Sequence, residues 1–270
     1  MKNYLFSLAV LSILVCSCGK SAKNEPQPLP GTVIVREKYS TGGIKSEITT
    51  VNDVRQGITK NFDRQGRLLS EVNYVDNLKE GIATNYYAAT GKIHSTITYK
   101  HDVKEGDETW YYESGKPYRI SPYVQGKIEG VQKLLYENGQ VKAEIPYKNG
   151  LLGLGTQEYN KDGSPIKDYP EIVIKKEDHL KTANKVLLVI SLSKEAKEVK
   201  FYTGALSEDK YLHEDLLARA TQEGSTQVDF TVPPGSRINE DIVITASYKT
   251  RMGNPRVVTK AYNLKASNAQ

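Results

Sequence analysis

The 270-residue chain carries 37 lysines and arginines against 32 aspartates and glutamates, a net charge of +5. That surplus is too small to argue for a nucleic-acid partner. Its two cysteines, Cys16 and Cys18, stand together near the start, which excludes a disulfide framework or a cysteine-ligated metal site further along.

Residues 1–17 have the make-up of an export segment. Lys2 supplies a positive start, and Leu5 to Val15 is apolar apart from Ser7 and Ser12, a stretch too short to cross a bilayer as a helix. Val15-Cys16-Ser17-Cys18 resembles a lipobox, with an aliphatic residue three before Cys18 and a small one directly before it. Cys16 fits less well, because Val15 stands where the small residue is required. The resemblance implies a diacylglycerol on the Cys18 thiol and cleavage that leaves Cys18 as an acylated N-terminus. Two or three acyl chains would anchor it stably. It also implies an envelope location, and Gly19, where inner-membrane lipoproteins of enteric bacteria usually carry Asp, points to the outer membrane. Cleavage removes Lys2 and lowers the charge from +5 to +4. Residues 18–33 then form a lipidated tether, with Lys20 to Pro30 composed like a flexible linker.

Residues 34–169 are repetitive. Copies run from Phe62 to Gly81, Tyr87 to Gly106, Tyr112 to Gly130 and Tyr136 to Gly155. A degenerate copy spans Tyr39 to Gly57, and a half copy starts at Tyr159. The closing glycines fall 24 or 25 residues apart. In each copy a polar segment ending in Gly66, Gly91, Gly115, Gly139 or Gly163 permits the positive φ of a tight hairpin turn. The strand after it alternates with period two. Leu68, Ser70, Val72 and Tyr74 should share a buried face, as should Ile93, Ser95, Ile97 and Tyr99, and Val141, Ala143, Ile145 and Tyr147, with the other face wet. The copy around Gly115 departs from this, with Pro117 and Ser121 on the expected core face and Tyr118 and Ile120 opposite. A bulge that shifts its register is the expectation there, and an exposed apolar patch the alternative.

The segment Leu134-Leu-Tyr-Glu-Asn-Gly-Gln-Val-Lys-Ala-Glu-Ile-Pro-Tyr-Lys-Asn-Gly150 resembles the MORN-variant repeat, and the resemblance extends over roughly residues 36–167. It implies an open β-hairpin array. Proteins with such repeats include many bacterial lipoproteins and chains labelled as antitoxin components.

From about Pro170 the repeat stops. Short β-rich runs follow at Glu171–Lys176, Val186–Ser193, Val199–Thr203, Thr226–Val232, Asp241–Lys249 and Arg256–Leu264, with a helical turn expected over Leu212–Ala220. Strand number and spacing predict a small immunoglobulin-like β-sandwich over 170–270. The fold class expected is therefore mainly β, an open antiparallel hairpin sheet followed by a sandwich.

No motif for catalysis, a metal or a cofactor is present. His94, His101, His179 and His213 lack ligand spacing and are expected on solvated faces. Glu80, Glu105 and Glu129 recur before their closing glycines and should pair with neighbouring lysines such as Lys79 and Lys104, a cation ladder being the alternative. Thirteen of the 18 tyrosines lie between residues 39 and 169. Tyr74, Tyr99, Tyr123 and Tyr147 form one column, and Phe62, Tyr87, Tyr112, Tyr136 and Tyr159 a second. Each ring is either core or ligand platform. With Tyr118 and Ile120, the first column is the candidate binding surface. The leading expectation is a non-catalytic, lipid-anchored envelope protein that presents this sheet to a protein partner. The alternatives are a glycan or peptidoglycan binder using the tyrosines, an envelope antitoxin-like component, and an unrecognised hydrolase.

Overall fold

Alternating side chains and two kinds of turn build the first half of the chain into one antiparallel sheet. The computed structural model describes residues 29–222 and 224–269, so the export segment, Cys18 and most of the tether lie outside the described residues. The strands are β1 (Thr32–Lys38), β2 (Ile44–Val51), β3 (Val54–Phe62), β4 (Leu68–Val75), β5 (Leu78–Tyr86), β6 (Ile93–Lys100) and β7 (Val103–Tyr111). There follow β8 (Pro117–Val124), β9 (Lys127–Ile128), β10 (Gly130–Leu135), β11 (Val141–Lys148), β12 (Leu151–Leu152) and β13 (Gln157–Glu158). They pair in chain order, with β10 following β8, β9 attached to β8 and β13 to β11.

At one edge the five glycine-ended turns close with positive φ at Gly66, Gly91, Gly115, Gly139 and Gly163. At the other edge, two-residue turns have positive φ at both positions: Asn52-Asp53, Asp76-Asn77, His101-Asp102, Gln125-Gly126 and Asn149-Gly150. Asn, Asp and Gly tolerate this geometry, and its twist matches that of the strands.

These second turns stack on one another. The Glu80 carboxylate accepts the His101 N–H at 2.8 Å, Glu105 accepts that of Gln125 at 2.9 Å, and Glu129 accepts that of Asn149 at 2.6 Å. The next amide of each turn donates to a strand carbonyl of the preceding repeat: Asp102 to Lys79, Gly126 to Lys104 and Gly150 to Ile128. The glutamate ladder is thus neither a cation site nor a row of lysine pairs; its carboxylates clasp turn amides.

The glycine-turn edge is tied by tyrosines. The hydroxyls of Tyr39, Tyr87, Tyr112 and Tyr136 donate to the carbonyls of Phe62, Tyr111, Leu135 and Tyr159, at 2.6 to 2.9 Å. The second aromatic column is therefore framed differently from the expectation: Phe62 and Tyr159 align with Tyr86 and Tyr111, not with Tyr87 and Tyr112. Each such bond contributes about 1 kcal/mol. Tyr112→Phe should accordingly lower stability by about that much in a urea titration, with little change in slope.

One bulge recurs beside each glycine turn, between Asn61 and Phe62, Asn85 and Tyr86, Trp110 and Tyr111, and Leu134 and Leu135. Leu69, His94, Tyr118 and Lys142 are the extra residues, and beyond them the alternation inverts. Leu68, Ile93 and Val141 therefore leave the face of Ser70, Ser95 and Ala143, and Ile93 is 42% exposed. The Gly115 copy has the same bulge as its neighbours, so it is not register-shifted relative to them. Ser121 is fully buried there.

The C-terminal part comprises β14 (Ile172–His179), one helical turn α1 (Leu180–Ala183), β15 (Lys185–Leu192), β16 (Lys197–Thr203), β17 (Leu217–Arg219), β18 (Ser225–Thr231), β19 (Arg237–Lys249) and β20 (Pro255–Ser267). They form sheets β14-β15-β18 and β17-β16-β19-β20, which share a core of Val186, Leu188, Ile190, Phe201, Val228, Ile244 and Leu264. The helical turn expected over Leu212–Ala220 is absent. Leu217, Ala218 and Arg219 pair instead with Thr203, Tyr202 and Phe201, because the free edge of β16 satisfies their main chain.

The sheet and sandwich are fused. Glu158, 1% exposed, accepts from Thr250 Oγ1 and Asn254 Nδ2, each at 2.6 Å. Gly153 bridges to Tyr211, and Arg256 lies 3.6 Å above the Tyr169 ring while donating to the Thr156 carbonyl.

Candidate functional site

Cross-strand pairs share a face, so the register assigns each side chain to one. One face carries Tyr74, Tyr99, Tyr123 and Tyr147, each half-buried. Tyr74 lies opposite Lys79, Tyr99 opposite Lys104 and Tyr123 opposite Ile128. Cations cover the rings: Arg55 over Tyr74 at 5.4 Å, Lys79 over Tyr99 at 4.9 Å and Lys104 over Tyr123 at 4.7 Å. Arg55, Lys79 and Lys104 each stand two residues before a closing glycine, on successive repeats. This regularity is readable as Arg-Gln-Gly, Lys-Glu-Gly and Lys-Glu-Gly, where the lysines are expected only as partners of the glutamates.

Beneath this row the face is polar. Asn61 and Asn85 donate to Ser70 and Ser95, both at 2.9 Å, and Gln132 donates to Ser121 at 2.8 Å. Small side chains at Ser95, Ser121 and Ala143, all fully buried, let neighbouring strands and side chains close over them.

Trp110, the single tryptophan, lies at the centre. The Arg119 guanidinium stacks on it at 4.7 Å, His94 meets it edge-on at 4.9 Å, and Tyr118 stands 6.4 Å away and 5.2 Å from Tyr112. His94 also touches Tyr87 at 4.4 Å, so it is part of this cluster and not of a solvated face; the bulge turned it. Tyr118 arrives by the same device. Ile120, paired with Thr109 and Lys133, lies on the reverse face and does not join the other candidate residues.

Glu108 holds the cluster. It is 5% exposed and accepts from Lys104 at 2.8 Å, with Arg119 at 3.9 Å and the Tyr123 hydroxyl at 3.4 Å. Burial alone would raise its carboxyl, but the Lys104 hydrogen bond and the charges of Lys104 and Arg119 outweigh it and hold the group below its ordinary 4.5. The Trp110 indole N–H also lowers Glu108, yet it makes no well-formed hydrogen bond; it and Arg119 Nε are buried with no hydrogen-bond partner among the described residues. Unpaired buried donors of this kind cost about 1–3 kcal/mol each. Because the folded carboxyl is depressed, its stabilisation is present above the ordinary value and lost as pH falls through the lower one. Glu108→Gln should cost about 1–2 kcal/mol at neutral pH, and the difference from wild type should shrink in paired urea titrations as pH falls below the ordinary carboxylate range.

The reverse face differs. Glu71 accepts from the Tyr86 hydroxyl at 2.7 Å, and Glu144 from Tyr159 at 3.1 Å. Burial and then the Glu71 bond push Tyr86 up to about 12. Ile58, Ile82 and Val131 are exposed there, at 48, 62 and 43%, so this face is not uniformly polar.

A cavity of about 670 Å³ lies where the last repeat meets the sandwich, lined among others by Lys167, Tyr169, Lys197, Arg251 and Met252. Among the described residues no three His, Cys, Asp or Glu side chains converge to hold a metal ion, and no helix is long and apolar enough to cross a membrane.

Residues 104–125 and 128–149 match the MORN repeat variant. The two matched segments cover the strands that carry Lys104, Trp110, Arg119, Tyr123 and Tyr147, so the centre of the tyrosine face is built by repeats of this type. No curated protein matches the chain. The MORN repeat family is generally non-catalytic, and a repeat-based binding protein is the coarse function that follows.

Proposed function

We propose that this protein is a non-catalytic binding protein of the cell envelope, anchored by acyl chains on Cys18, whose tyrosine face holds a protein partner. The observation that carries this is the row of cation-covered tyrosines beside the Trp110–Arg119 stack. Tyr, Trp and Arg are the side chains that dominate binding energy at protein interfaces. The C-terminal sandwich is read as an immunoglobulin-like module that holds the end of the sheet.

The test places a photocrosslinking side chain at position 99 or at position 82 of the full-length chain, expressed in a Gram-negative host. One discrete envelope adduct from position 99, absent from 82 and lost with Trp110→Ala, is expected. Adducts equal at both positions, or none at 99, overturn the reading. The mass of the N-terminal peptide, beside Cys18→Ala, tests the anchor separately.

A further inference from the structure

We propose that the tyrosine face takes an extended acidic peptide that runs across the strands and offers a carboxylate at every third residue. This rests on the partner-binding reading above and names the chemistry of the partner.

Arg55, Lys79 and Lys104 occupy the same place in three successive repeats, so each stands two strands from the next. At strand spacing that separates neighbouring cations by about 10 Å. A polyproline II segment rises about 3.1 Å per residue with three residues per turn, so one of its sides recurs about every 9 Å. A flat β-strand presents a side every two residues, at about 7 Å, and falls out of step within two cations. The tyrosines between the cations supply shallow apolar slots of the kind in which proline rings dock.

Two of the three charges in this row are unpaired among the described residues. Neither Arg55 nor Lys79 enters an ion pair among the described residues, while Lys104 shares its charge with Glu108. Glu108 is buried and already engaged with Lys104 and Arg119. The reverse face holds Glu71 against Lys60, so charge there is balanced locally. In the next repeat the cation position is Ile128, which ends the ladder at three. The ligand therefore needs three carboxylates in step and an apolar residue where it passes Ile128 and Tyr147.

The probe is a fluorescein-labelled peptide of about five Glu-Pro-Pro units, with Gln-Pro-Pro and alternating Glu-Pro peptides of equal length beside it. Fluorescence anisotropy is followed with the full mature chain in neutral detergent. The Glu-Pro-Pro peptide should bind at least roughly tenfold more tightly than either comparator, and high salt should weaken it by a similar factor. Arg55→Gln with Lys79→Gln should lose roughly tenfold in affinity while the chain stays folded at the assay temperature by circular dichroism, whereas Ile82→Ala should bind as wild type does. Equal binding of the neutral or the alternating peptide, or undiminished binding by the double variant, overturns the proposal. If those arms fail while the position-99 adduct persists, the acidic-peptide inference falls and the binding face stands; if both fail, both fall.

Discussion

Glu158→Ala should destabilise the protein by about 3 kcal/mol, the largest effect of any polar substitution outside the binding face. The carboxylate is 1% exposed, and its loss strands two buried donors, Thr250 Oγ1 and Asn254 Nδ2, that reach it across 92 and 96 residues of chain. The loss should appear as a separation of events: the sandwich and the repeat sheet should melt at different temperatures in calorimetry where the parent shows one transition. A single transition at the parent temperature would show that Glu158 does not couple the two.

Gly153→Ala should cost about 1–3 kcal/mol for a different reason. Its added methyl would sit 2.6 Å from Cε1 and 2.7 Å from Cδ1 of Tyr211, so either the ring or the strand must move. The φ of Gly153 is not in the left-handed region, so the cost is steric alone. Tyr211→Ala added to Gly153→Ala should then recover most of the loss, which a double-mutant cycle by urea titration would measure. No recovery would mean that the strand, not the ring, resists the methyl.

The hairpin array was legible because its period is carried by glycines whose backbone no other residue adopts cheaply. The inward set was only partly legible. Ser70, Val72 and Tyr74 keep the expected face, but Leu68 does not, because the bulge at Leu69 is fixed by which amides and carbonyls pair and leaves no mark on the hydrophobic pattern. The aromatic column slipped for a related reason: Tyr87 and Tyr112 precede glycine turns of unequal length, so counting from the glycine misaligns Phe62 and Tyr159. Glu80 looked like half of a salt bridge because nothing in a sequence distinguishes a carboxylate bound to lysine from one bound to a turn amide.

The candidate site was half legible. Tyrosine spacing located its row, and the departure at Gly115 drew attention to Tyr118 and Ile120. The sequence places Ile120 beside Tyr118, but the sheet puts them on opposite faces. Trp110 and Arg119 went unread, since they occur where the two preceding repeats carry Asn and Ser and the following one Leu134 and Ala143, and a lone exception has no period to reveal it.

The clasp between successive two-residue turns has a consequence for how such a chain can change. Three successive joints use the same carboxylate and the same amides, so a whole unit of 24 or 25 residues within them can be duplicated or excised with its joints intact. Such an event alters length without redesigning any contact, adding or removing about 10 Å of platform at a stroke. The array then behaves as a ruler: the length of its face is recorded in how many times one hairpin was copied.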